Sequence, residues 1–218
     1  MSSGSSDAGS GNKRAGTYPS EGMFPSDFPP AGHNLTDDKQ FGQISGFGGD
    51  STKTKDQHVL KKTPVILVHG NGASATHSQW GMQELVPMLQ DIGYSKDEIW
   101  AISYLGTGIA DYDPMNPMPI ANNVGDFRRW IAAVMDYLNV DKVDIITHSL
   151  GASVVRGWIE GYTTSQTFTE DLQRDKVGTV FLISGANYGY DGFGGEWKLT
   201  HPFYDTVNEP ERVAAVKY

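Results

Sequence analysis

The 218-residue chain contains no cysteine, which excludes disulfides, thiolate metal sites and a cysteine nucleophile. Large secreted enzymes can do without disulfides, so the compartment stays open on this ground. Long apolar runs are also missing. Val65-Ile66-Leu67-Val68 is the longest aliphatic stretch near the middle, far short of the ~18 residues a membrane span needs. Basic residues are outnumbered, 17 Lys and Arg against 26 Asp and Glu, for a formal net charge of -9. Such a surface repels phosphate backbones and anionic lipid, so nucleic acid is not an expected partner. The polar start, Met1 to Ser6, has no apolar h-region and no signal peptide is visible there, so the protein is either cytoplasmic or has a signal that is removed or not included in this sequence.

What is present reads as one globular unit, with 38% hydrophobic and 11% aromatic residues. Residues 1–60 read as a Gly/Ser/Pro-rich tail followed by irregular coil, and residues 61–218 as the N-terminal portion of an α/β domain. Residues 64–68 form a wholly apolar, β-branched run that fits a strand buried on both faces. Residues 98–104, 140–147 and 177–184 read as further strands. A helix is expected over 79–92, kinked or split by Pro87, with Trp80, Leu85, Met88, Leu89 and Ile92 as candidate core positions. Val124, Phe127, Ile131, Val134 and Leu138 fall at helical spacing and predict a helix over 122–138. Another helix is expected over 150–162. Strands alternating with helices imply a mostly parallel sheet with right-handed crossovers. Residues 213–218 read as the start of a fifth strand, inside which the chain stops. The expectation is a fragment of a longer protein.

Two motifs carry chemistry. Thr147-His148-Ser149-Leu150-Gly151 lies between an expected strand and an expected helix. That is the setting of a nucleophile elbow, where a sharp turn projects the serine Oγ above the sheet. Gly151 fits the tight turn, whereas Thr147 stands where glycine is commonest. The alternative is a serine that caps the helix. His69-Gly70-Asn71-Gly72 follows the first buried strand. A glycine-rich turn there can aim a backbone N–H at a developing oxyanion. Asn71 and Leu150 are then the two donors, and the alternative is an ordinary βα turn. His69 and His148 read as structural, and His33, His58 and His77 as solvated. His201 and Asp205 would supply a base and an acid only in an unusual chain order. Asp111, Asp113 and Asn116 resemble a sparse calcium loop without its Gly and terminal Glu, which favours a solvated loop. The aromatics from Tyr188 and Tyr190 through Phe193, Trp197, Phe203 and Tyr204 form either a lid or packing against the sheet.

These segments carry a resemblance: 63–72, then Gly93-Tyr94, Glu98-Ile99 and Ser103-Tyr104-Leu105, then 143–151. Together they resemble class 2 lipases, and among them extracellular poly(3-hydroxybutyrate) depolymerases that act on amorphous polymer. Gly46-Phe47-Gly48-Gly49 resembles that group as well. The resemblance implies an α/β-hydrolase fold, a mostly parallel sheet with helices on both faces, and a secreted protein. It implies a Ser-Asp-His triad acting on an ester or polyester, with no cofactor and no metal. Carried over here, Ser149 is the nucleophile, and Asn71 and Leu150 are the oxyanion donors. The family's acid and histidine fall beyond residue 218, which puts the activity of the chain alone in question. A non-catalytic binding protein on the same fold, or an acyltransferase using the same serine, are the competing readings.

Overall fold

The computed structural model describes residues 18–36, 44–77, 80–104, 120–190, 198 and 201–210. The apolar run near the middle forms β2 (Val65–Val68), with all four residues buried. It lies inside a five-stranded sheet with β1 (Ser45–Gly48), β3 (Ile99–Ser103), β4 (Val143–His148) and β5 (Val177–Ile183), in the order β1-β3-β2-β4-β5. β3, β2, β4 and β5 pair in parallel, and β1 adds an antiparallel edge. The four expected strands that fall among the described residues are present, with ends shifted by three residues at most.

Period-two alternation sorts the strand residues between two cores. Ile66 and Val68 of β2, with Trp100 and Ile102 of β3, pack beneath α2 (Ile120–Leu138) and α3 (Gly151–Ile159). Val65 and Leu67, with Ile99 and Ala101, face the opposite way onto Met82, Val86 and Leu89. Helices thus cover both faces. The larger core joins α2 to α3 through Phe127 and Trp158, whose rings meet edge to face at 5.3 Å and 86°. Such a pair adds about 0.5–1.5 kcal/mol beyond the area it buries.

Three expectations need correction. Over 80–92 the helix is split near Pro87, as one of the two expectations had it, but three of its expected core positions are exposed. A 3-10 turn, Met82–Leu85, leads into α1 (Val86–Asp91), with Pro87 in the first turn of α1. Proline starts a helix there instead of kinking one, so the helical phase is reset. Met82, Val86 and Leu89 turn inward, while Trp80 (60% exposed), Met88 and Ile92 face solvent. Residues 45–48, expected as coil, form β1. Its two glycines fit the pairing, since a Cβ at Gly46 would meet the Ala101 carbonyl oxygen and one at Gly48 the Trp100 ring.

The side chain of His58, expected to be solvated, is buried. Its Nδ1 lies 3.1 Å from Asp97 Oδ1, both side chains being 3% exposed. Asp97 also accepts from Val59 N–H at 3.0 Å and Lys53 Nζ at 2.6 Å, which ties the coil to the start of β3. His33 is half-buried and pairs with Asp136 at 3.1 Å. His77 stacks on Trp80 with its Nδ1 accepting from Trp80 N–H.

Phe203 and Tyr204 are buried on α4 (Pro202–Val207) and pack against the α3 side of the core. They are packing residues, as one of the two readings had it. Tyr188 and Tyr190 are exposed. The sparse calcium loop, Phe193, Trp197 and the expected fifth strand lie outside the described residues. No described helix is long and apolar enough to cross a membrane.

Candidate active site at the carboxyl ends of the central strands

Strand register brings the two motifs together. Val68 of β2 pairs with Thr147 of β4, so the chain leaves both strands at the same level. The turns His69-Gly70 and His148-Ser149 then lie side by side. A Cβ at Gly70 would come within 2.8 Å of Ser149 Cβ and 2.9 Å of His148 Nδ1. Only glycine lets the first turn approach the second this closely.

Ser149 has φ of +52°, in the left-handed region that a non-glycine residue rarely adopts. Such a conformation costs about 1–3 kcal/mol and persists only where the surroundings over-determine it. Here both backbone groups are clamped. Ser149 N–H donates to Ile183 O at the end of β5 (3.0 Å), and Ser149 O accepts from Ala152 N–H (3.1 Å) and Ala186 N–H (3.0 Å). The serine is half-buried. Helix α3 begins two residues later with Leu150 at its N-cap and no side-chain cap. Ser149 is therefore not the N-cap residue of α3. Leu150 N–H makes no hydrogen bond among the described residues and lies at the positive end of the helix dipole.

Thr147 departs from the commonest elbow pattern, and the structure shows how it is accommodated. A Cβ at residue 151 would lie 2.5 Å from Thr147 Oγ1 and 3.0 Å from Val68 O, and within contact of His69 O. The absence of that Cβ makes the room. Thr147 is fully buried, and its Oγ1 has no hydrogen-bond partner among the described residues.

The first turn is held from within. His69 is buried, and its Nδ1 lies 2.7 Å from Gly70 O. A carbonyl can only accept, so Nδ1 carries the proton and Nε2 the lone pair. Burial pushes the imidazole down to about 4, against weaker opposing pulls from its backbone hydrogen bonds. The ring is neutral at pH 7 and structural, as the sequence suggested. Tyr104, just past β3, stacks on it at 4.0 Å and 10°. That contact was not anticipated from sequence. The register pairing Val68 with Ile102 places Tyr104 there.

A pH prediction follows. Below pH 6.5 the unfolded chain takes up a proton at His69 that the folded protein refuses until about pH 4. The contribution is fully present above pH 6.5 and is lost as pH falls to 4, by about 3 kcal/mol in all. His69→Phe keeps a ring on Tyr104 but removes this titration. Urea unfolding at pH 7 and pH 4 is expected to show a smaller acid loss in the variant, by that amount. Equal losses in the two proteins would contradict the neutral, buried ring.

Among the described residues, no histidine or carboxylate hydrogen-bonds Ser149 Oγ. His201 instead caps α4, its Nδ1 accepting from Phe203 N–H at 3.2 Å. The arrangement thus presents a strained serine, a helix N-terminal amide and a close-packed glycine turn at one point.

Comparison with known proteins accords with this geometry. Residues 62–203 match the family model for class 2 lipases. The chain is similar in structure to the lipase BlEst2 of Bacillus licheniformis in its propeptide form, at 15% identity. There it covers 76% of this chain and 37% of that one, with a TM-score of 0.51. It is similar to lipase B of Aspergillus fumigatus at 14% identity, covering 75% of this chain and 37% of that one, with a TM-score of 0.50. The chain thus spans little more than a third of the length of either solved structure. These likenesses establish the α/β-hydrolase fold, and the match over residues 62–203 establishes the lineage: the chain belongs to the class 2 lipase family.

Proposed function

We propose that this chain carries the nucleophile and oxyanion portion of a serine carboxylic-ester hydrolase. The observation that carries the reading is Ser149 at φ +52° between β4 and α3, with the Gly70 turn packed against its Cβ. Ser149 Oγ attacks the ester carbonyl carbon while a histidine accepts its proton, forming a tetrahedral oxyanion. Leu150 N–H and Asn71 N–H stabilise that oxygen, each donor being worth about 2.7–4 kcal/mol by analogy with a serine protease. The alkoxide leaves with a proton from the histidine, and water then hydrolyses the acyl-serine. The family resemblance implies that the acid and then the histidine come after Ser149 in chain order.

For substrate, the resemblance to depolymerases favours an apolar polyester, such as amorphous poly(3-hydroxybutyrate), over triacylglycerol, and secretion accords with a polymer outside the cell. The test compares release of hydroxyacid from amorphous polymer, fatty acid from tributyrin and p-nitrophenol from a butyrate ester. The full-length protein and its Ser149→Ala variant are measured together. Loss of at least about 10⁴-fold in kcat on every accepted ester is expected. Retained hydrolysis in Ser149→Ala would reject the nucleophile. Hydrolysis of tributyrin with none of the polymer would reject the substrate assignment alone.

A further inference from the structure

The peptide between Gly70 and Asn71 is the hinge on which the oxyanion turn depends. Peptide bonds are planar, and this one is trans, so the Gly70 carbonyl and the Asn71 N–H point to opposite sides of one rigid plate. Whatever holds the carbonyl aims the amide. Gly70 O accepts from His69 Nδ1–H at 2.7 Å and from Ala73 N–H at 3.3 Å. The His69 ring is therefore the shorter of two anchors on that plate, and its own orientation becomes the controlling variable.

Tyr104 fixes that orientation twice over. Its ring lies flat on the imidazole at 4.0 Å, and its hydroxyl donates to His69 O at 2.6 Å. The one contact holds the side chain, and the other holds the peptide plate preceding Gly70. Tyr104 itself is buried and follows β3, which is paired to β2 in register. The tyrosine thus joins the rigid sheet to both sides of the turn.

We propose that Tyr104 is a positioning residue for the oxyanion turn, setting the direction of the Asn71 N–H through the His69 ring and backbone. This rests on the reading of Ser149 as nucleophile and Asn71 as donor. Tyr104 touches neither substrate nor the reacting atoms in this account. The effect proposed for it passes through His69 and Gly70.

Tyr104→Phe tests it, because the ring stack survives while the hydroxyl donor is lost. In the full-length protein, kcat for a p-nitrophenyl ester is expected to fall about 10- to 100-fold, with KM held within about twofold, since an aimed donor acts in the transition state. The pH profile of kcat/KM is expected to keep its shape, because no titrating group is changed. In ¹⁵N-labelled protein, the Asn71 amide resonance is expected to split or broaden while the amides of α2 stay in place. A purely structural tyrosine would lower thermal stability with kcat per titrated active site and the Asn71 amide unchanged, and that result overturns the proposal. Ser149→Ala is run alongside. If it retains activity, the nucleophile assignment falls, and the catalytic meaning of the turn falls with it. If it is inactive and Tyr104→Phe behaves as wild type, only the positioning role is rejected.

Discussion

Gly151→Ala is expected to lower the free energy of unfolding by about 3 kcal/mol, at the upper end of overpacking costs, and to reduce ester hydrolysis at least about 100-fold. The new Cβ would fall 3.0 Å from Val68 O and 2.5 Å from Thr147 Oγ1, and within contact of His69 O. Two of the three obstacles are backbone carbonyls at the end of β2, which the flanking strands hold in register. The helix must therefore move away from the strand, taking Leu150 and Ser149 with it. Thr147→Ala removes the one side-chain obstacle. In the double variant it is expected to recover less than half of the lost stability. Urea unfolding midpoints of the two single variants and the double variant decide the matter. Full recovery would mean that Thr147, not the strand backbone, sets the packing at the elbow.

The second large effect is expected at Arg156, on the buried face of α3. Its guanidinium donates to Asn187 O at 3.0 Å, Val207 O at 2.6 Å and Asn208 Oδ1 at 2.6 Å, with a longer contact to Asn187 Oδ1 at 3.4 Å. These neutral acceptors join the segment after β5 to the end of α4. The same segment holds Ser149 O through Ala186 N–H, and Ala186 O accepts from Ser153 Oγ. Replacing a buried ion pair by apolar groups is often neutral, because both charges disappear together. Here the acceptors would remain.

Arg156→Met leaves Val207 O and Asn208 Oδ1 without that donor, and the expected loss is about 3 kcal/mol. Arg156→Lys presents one compact ammonium instead of a planar fork and is expected to restore less than half. Denaturation midpoints of the three proteins test this. A stable Arg156→Met variant would show that relief from burying the charge outweighs the lost bonds. Esterase activity is expected to fall along with stability, because the same segment fixes Ser149.

Much of the fold was legible because burial on both faces leaves a strong mark. β2 and β3 are fully buried, and their apolar runs stand out against polar flanks. The long period of α2 was equally clear, although the helix begins two residues earlier, at Ile120. The turn at Ser149 was legible for a different reason. Glycine two residues after the serine, between strand and helix, answers a steric demand that the chain meets locally.

What was not legible depends on contacts distant in sequence. β1 exists because Gly46 and Gly48 allow a close approach to β3, some fifty residues away. The His58 side chain is buried against Asp97, which reaches it from the turn just before β3. The phase of α1 turned on whether Pro87 ended a helix or began one, and periodicity alone does not separate the two. Phe203 and Tyr204 looked as suited to a lid as to a core until α4 placed them beneath α3. β5 was read correctly as a strand but not in its surroundings, since Phe181 is 63% exposed and Ile183 44%. Tyr104 was noticed only as the end of an expected strand and as part of a family pattern. The role proposed for it depends on a stacking partner thirty-five residues earlier in the chain.

The measurement that bears most directly on the account is covalent trapping of Ser149. A fluorophosphonate is incubated with the full-length protein, and the adduct is located by peptide mass spectrometry. The account predicts a single modified residue, Ser149, with adduct formation abolished in Ser149→Ala and slowed in Tyr104→Phe. An adduct on any other residue, or labelling that survives Ser149→Ala, would contradict it.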